Sequence, residues 1–222
     1  MKIKSIFLIA ILLLTSIRSF SADTSRVQSS SLLLGLGNDS YYGLYFYALG
    51  FFNYKKKITP AIFVISRSMQ GGAGIRYAPT KYLSIIPVLG IINGKALSGA
   101  TSPKVAEGTS LSLFTNYDNQ KIYLDEGLLF YKCIRKRGPV TVDYLWYWLT
   151  GGIRFNRFIS GGAHFEHLIK TRSSDGKDGM VYRYIGPYIQ VSLASSINVR
   201  LTTGFQGHHP DLIRINISTG FR

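Results

Sequence analysis

The sequence predicts an all-β chain: an antiparallel transmembrane β-barrel of about twelve strands, or ten if its first segment stays unpaired, behind a cleaved leader. Three observations carry that expectation. Apolar residues recur with period two along most of the chain, aromatic residues collect where the alternating segments end, and tight turns alternate with longer polar loops. The 222 residues are 46% hydrophobic and 17% charged, too apolar for a disordered chain and enough for one domain. The single cysteine, Cys133, excludes an internal disulfide. No Cys/His cluster has ligand spacing, so no metal or cofactor is expected.

The leader comes first. Lys2 and Lys4 precede an apolar run from Ile6 to Leu14, and Ser19-Phe20-Ser21 then offers small residues three and one positions before a cut. That order predicts a secretory signal peptide over 1–21, cleaved before Ala22, with 22–30 as a short periplasmic tail and 31–222 as the barrel. An uncleaved anchor is the alternative, but the run falls short of the ~20 residues a spanning helix needs. No cysteine follows it for lipoprotein processing. Of 26 basic and 11 acidic residues, cleavage removes Lys2, Lys4 and Arg18. The remaining 23 and 11 leave a net charge of +12.

The strands follow in order: 31–36, 41–52, 59–67, 70–78, 82–93, 105–116, 121–133, 141–155, 159–171 and 181–193, then two more from Ile197 and Ile213. The longest apolar stretches, Tyr41 to Phe52 and Leu83 to Ile92, are about half the ~20 residues of a membrane helix, which excludes a helical membrane protein. The last two strands show the pattern best. Ile197, Val199, Leu201, Phe205, Ile213, Ile215, Ile217 and Phe221 share one face, while Asn198, Arg200, Gln206, Arg214, Asn216 and Arg222 share the other, because strand side chains alternate. Tight turns are expected at 78–81, 156–158 and 194–196, and longer loops at 93–104, 135–139 and 171–179. An even strand number puts both termini in the periplasm.

Period two alone does not say which face meets lipid, since a periplasmic sandwich or lipocalin-like barrel has the same period with its apolar face inward. Lipid is favoured by aromatics beside the tight turns (Tyr77, Tyr82, Tyr117, Phe155, Phe221), by a polar face of Gly and Arg that suits a wet lumen, and by a chain that ends inside its last strand. Ile213, Ile215, Ile217 and Phe221 resemble the final strand of Gram-negative outer-membrane β-barrel proteins, which finishes in an aromatic read by the barrel-assembly machinery. Here Phe221 is penultimate and Arg222 follows. The resemblance implies an outer-membrane location, contact with outer-membrane lipids and lipopolysaccharide, and engagement of that machinery; a monomer is expected. Strict alternation in 122–133 would put Asp125 or Glu126 against hydrocarbon, so a β-bulge at Asp125-Glu126-Gly127 is expected to turn both acids inward and Tyr131 outward.

The inward face so phased holds Arg76, Arg154, Lys170, Arg200, Arg214 and Arg222 against Asp125, Glu126 and Glu166. Such an excess of cations predicts a narrow, anion-favouring passage; the alternative is that cations and acids pair and fill the barrel. Arg76, Arg154, Arg200 and Arg222 fall toward the periplasmic end, Lys170 and Arg214 toward the outside, and His164 and Glu166 between. In His164-Phe165-Glu166-His167 the first and third residues face inward and His167 faces lipid, so the two histidines cannot chelate one metal. A competing class, a lipid A or phospholipid acyl-modifying enzyme, needs a Ser beside a His, and no His-x-Ser spacing occurs; a non-conducting structural or adhesive barrel is a third. His208-His209-Pro210-Asp211 and Asp175-Gly176-Lys177-Asp178-Gly179 read as external turns, the latter lacking the bidentate Glu of a calcium loop. Arg135-Lys136-Arg137 would meet lipopolysaccharide phosphates. A secreted chain without a recognition module does not read as a nucleic-acid binder.

Overall fold

The structure, a computed structural model, describes residues 31–40, 43–52, 57–66, 68–98, 104–119, 121–135, 139–193, 197–206 and 212–221. The signal-peptide and tail expectations, His208 to Asp211, Lys136, Arg137, the 194–196 turn and Arg222 lie outside these residues.

Twelve antiparallel strands close into one barrel: β1 (Ser31–Asp39), β2 (Gly43–Phe51), β3 (Ile58–Ile65), β4 (Gln70–Tyr77), β5 (Leu83–Gly94), β6 (Lys104–Asp118), β7 (Ile122–Cys133), β8 (Val142–Arg154), β9 (Ile159–Ser173), β10 (Gly179–Ser192), β11 (Ile197–Gly204) and β12 (Leu212–Phe221). Each strand pairs with its neighbours in sequence, and β1 closes on β12 from Leu32↔Phe221 to Asp39↔Arg214. The first strand therefore pairs on both sides and runs three residues beyond its expected end, bringing Asp39 into the barrel. Connections at the end shared with the termini span three to six residues by these bounds; those at the far end span three to nine, the longest after β5, β7 and β11. The 171–179 loop shrinks to 174–178, because β9 continues to Ser173. There Asp175 accepts from the Ser173 hydroxyl and the Lys177 amide, which hold its carboxyl below the usual range.

Every strand exposes at least one large apolar side chain on the outer wall, from Leu32 on β1 to Ile215 on β12. A continuous belt of this kind far exceeds the few hundred Å² of apolar patch that a water-soluble monomer tolerates. At the terminal end it is rimmed by Tyr77, Tyr82, Phe155 and Phe158, with the Lys81 ammonium 4.8 Å from the Tyr82 ring centre and the Arg157 guanidinium 4.5 Å from that of Phe158. An apolar ring with a polar tip of this kind suits a membrane interface. Inside, glycines let aromatic rings lie flat on neighbouring strands: a Cβ on Gly35 would stand 2.0 Å from the Tyr47 ring, and one on Gly127 2.2 Å from Trp148.

The expected bulge in β7 is absent. Its pairing is continuous with β6 from Tyr123 to Cys133 and with β8 from Ile122 to Tyr131, so Asp125 faces inward, Tyr131 is buried inside and Glu126 stands exposed on the outer wall. A bulge would leave backbone groups unpaired in hydrocarbon at several kcal/mol each, more than one outward carboxylate costs. Glu126 lies four residues from Ile122, about 10 Å along the barrel axis for a ~3.3 Å rise and ~40° tilt. Glu126→Leu should raise stability by about 1–2 kcal/mol in urea titrations of the lipid-reconstituted barrel, read from the heat-modifiable gel band. No change would place the carboxylate at the headgroup level instead.

Candidate functional site in the lumen

All twelve strands send a side chain that is at least nine-tenths buried into the half of the barrel away from the termini. From β1 to β12 these are Asp39, Tyr45, Ile65, Gln70, Ile92, Ser110, Leu129, Trp146, Glu166, Tyr184, Thr202 and Arg214. This layer closes the lumen, where the Gly and Arg of the polar face predict a wet one. The reason lies in the glycines: tyrosine and tryptophan rings lie against Gly35, Gly37 and Gly127.

An ion network ties the layer together across the barrel. Arg214 on β12 donates from Nη1 to Glu166 Oε2 on β9 at 2.5 Å, and from Nε and Nη2 to Asp39 Oδ2 on β1 at 3.2 Å. Trp146 Nε1 and the Tyr182 hydroxyl donate to Glu166 Oε1 at 2.9 and 2.6 Å. His164 Nε2 lies 3.2 Å from Glu166 Oε2, and its Nδ1 lies 2.8 Å from Thr150 Oγ1. Burial of ions is tolerable only with such complete partnering. The Thr150–His164–Glu166 order matches a nucleophile–base–carboxylate relay. However, Thr150 is 1% exposed, and Glu166 already neutralises Arg214. In this geometry the three residues tie β8 to β9. An acyl-modifying site would have to face lipid, where His167 bonds Tyr147 at 2.9 Å.

Toward the termini partly exposed polar side chains stand among buried ones such as Thr59, Arg76 and Tyr188. Arg200 on β11 donates from Nε to Gln190 Oε1 and from Nη2 to the Tyr123 hydroxyl, both at 3.0 Å, with its guanidinium 5.2 and 5.1 Å from the Tyr123 and Tyr188 ring centres. Ser192 and Gln190 donate to Asn198 Oδ1 beside it. At the rim Arg154 pairs with Asp118. Arg76 is buried over the Phe51 ring, 5.6 Å from its centre, and Lys170 is half-buried near the opposite mouth.

The structure thus brings together His164, Glu166 and Arg214, and keeps Arg76, Arg154, Lys170 and Arg200 apart. It also adds acids to the interior that the alternation had not placed there. Among the described residues, Arg76, Arg154, Lys170, Arg200 and Arg214 share the interior face with Asp39, Glu107, Asp118, Asp125 and Glu166. Glu126 left this set by facing outward, while Asp39, Glu107 and Asp118 joined it. Asp39 was discoverable by extending the β1 alternation; the cross-lumen meeting of β9 with β12 left no local signal.

A closed antiparallel barrel with an apolar outer belt and an aromatic rim defines a transmembrane β-barrel of the outer-membrane type. The chain belongs to a family of unknown function (DUF6733), whose model matches residues 1–211. No curated protein matches. Among solved structures, the in-vitro folded outer membrane protein OmpT of Vibrio cholerae aligns at 10% identity and a TM-score of 0.52, covering 82% of this chain and 66% of that one. Its loop L8 deletion variant gives 11%, 0.54, 81% and 63%. The NanC porin gives 8%, 0.50, 85% and 98%. The chain therefore spans just under two thirds of the two OmpT chains, and the likeness is one of fold.

Glu166→Ala or Arg214→Ala should each lower stability by about 3–5 kcal/mol, because either leaves a buried charge without its main partner. Unfolding midpoints in guanidinium, read by loss of the compact gel form, measure this. Arg214→Gln accordingly belongs with the destabilising changes, and a midpoint matching the wild type would refute the structural role.

Proposed function

We propose that the barrel is a narrow passage for small anionic solutes, closed in the state described here. The observation that supports anions is the distribution of charge at the rim. At the end that holds the termini, exposed Lys57, Lys81, Lys121, Arg154 and Arg157 surround the opening against Asp118 alone among the described rim residues. Such a ring creates a positive potential that draws anions and repels cations at the entrance. Behind it, Arg200 is held between two tyrosine rings at a partly buried position. At an effective dielectric near 20, a charge ~6 Å from a passing ion contributes roughly 3 kcal/mol before screening.

Passage beyond Arg200 requires the Arg214 side chain to leave Asp39 or Glu166, so open intervals are short and conductance is low. The rim cations also suit phosphate groups, and exposed Lys132, Arg135 and Arg183 toward the opposite mouth suit lipopolysaccharide. We infer a monomer engaged by the assembly machinery through its C-terminal strand. A second reading, a non-conducting structural barrel, draws on the closed layer of buried side chains.

Currents across planar bilayers separate the two. Brief, small openings with an anion-favouring reversal potential are expected, and the preference should weaken in Lys121→Gln/Arg157→Gln. It should also weaken as salt rises from about 0.1 to 1 M, where the screening length falls from about 10 to 3 Å. Asp39→Asn, which removes one of the two acids holding Arg214, should lengthen the openings. Silence in both the wild type and Asp39→Asn would leave the non-conducting barrel as the function.

A further inference from the structure

The outer connection between β5 and β6 does not stay on the surface. Leu97 and Ser98 are each 2% exposed, and Leu97 packs into the interior cluster over Gly108, where a Cβ would stand 2.3 Å from its Cδ1. Loops ordinarily run over the surface because buried backbone needs partners. Here one carboxylate supplies them: Glu107 Oε1 accepts from Leu97 N at 3.0 Å, Ser98 N at 2.7 Å and Ser98 Oγ at 2.6 Å. The carbonyls of Leu97 and Ser98 are taken by Val142 N at 2.8 Å and Val140 N at 3.4 Å, at the start of β8.

Two features of this corner oppose its own stability. Ala106, just before Glu107, has φ 51°, a left-handed conformation unfavourable for a residue with a Cβ. It sits where the β5–β6 register slips between Ile92 and Gly94, held by the Asn93 side chain on its N–H at 2.9 Å and Arg135 Nε on its carbonyl at 3.1 Å. This irregularity turns Glu107 inward. Second, Glu107 is 0% exposed and, among the described residues, its Oε2 has no hydrogen-bond partner, although Oε1 has three. A buried carboxylate oxygen left unpaired is costly, and withdrawal of the segment into water would relieve it.

We infer that Lys95–Ser98 is a latched plug: a loop segment drawn into the external mouth and held there by the Glu107 carboxylate, with strain stored in Ala106 and Glu107 that favours its release. The hydrogen bonds to Glu107 and β8 and the burial of Leu97 hold it in; the left-handed alanine and the unpaired oxygen push it out. That balance gives a segment with two arrangements, the requirement for a switch. Its role in solute passage rests on the reading of the barrel as a channel, whereas the latch itself does not.

Hydrogen exchange of the full-length protein in lipid nanodiscs tests the latch, because the Leu97 and Ser98 amides donate to Glu107. In the wild type these amides should be protected. In Glu107→Ala they should exchange about tenfold or more faster, with β1–β4 and β9–β12 unchanged. Ala106→Gly removes the strain and keeps Glu107, so it should slow exchange at both amides; this variant guards against a simple folding defect in the first. Equal exchange at Leu97 and Ser98 in the wild type, Glu107→Ala and Ala106→Gly would overturn the latch. Bilayer currents are the second arm: openings more frequent in Glu107→Ala and rarer in Ala106→Gly link the latch to passage. Altered exchange with currents absent throughout would keep the latch and discard the channel.

Discussion

In hydrocarbon no water is available to satisfy a backbone N–H or C=O, so a sheet that crosses a membrane must have no edge. The β1–β12 seam meets that constraint, and much of the structure follows from it. Because the ladder must be complete, side chains alternate without interruption, and the outer wall becomes a continuous apolar belt. The same demand explains Glu126. The β6–β7–β8 ladder keeps its register and tolerates one outward carboxylate, since shifting that side chain would unpair backbone on two sides.

Closure of a small barrel creates an interior that must be filled or wetted, and this one divides the two along its axis. In the external half, aromatic and aliphatic side chains pack over glycines, and the polar groups caught among them are joined in separate networks, one on Glu166 and another linking Gln70 to Ser110 and Ser112. Arg214 reaches both Glu166 and Asp39, so three strands that are distant in sequence are bound by one guanidinium, whose planar set of donors suits two carboxylates. In the terminal half, Arg200 is held by neutral hydrogen-bond partners and two aromatic faces, with the Asp125 carboxylate near enough to act on its charge.

The irregularities cluster where regular pairing ends. The β5–β6 slip, the left-handed Ala106, the inward Glu107 and the buried Leu97–Ser98 segment occupy one corner of the external mouth. A perfectly regular hairpin could not place a carboxylate beneath its own loop, and β-bulges are the usual means of re-aiming a strand side chain. The charges that give the chain its basic character lie mainly on the rims, where they stay hydrated.

Period-two alternation in residues such as Ile213 to Phe221 was enough to identify the strands, their two faces and their number, because that pattern is a local property of an extended backbone. It also placed His164 and Glu166 together inside and His167 outside. What alternation does not contain is the identity of groups meeting across a closed barrel. The contacts of Arg214 with Glu166 and of Arg200 with Tyr123 join strands that are not neighbours, and depend on barrel radius and stagger. Nor does alternation register the space above each glycine, so the same glycines and arginines that read as a wet lumen proved to be a packed layer. Whether the interior is open is decided by how side chains from twelve strands fill one volume, and that sum exists only once the sheet has closed.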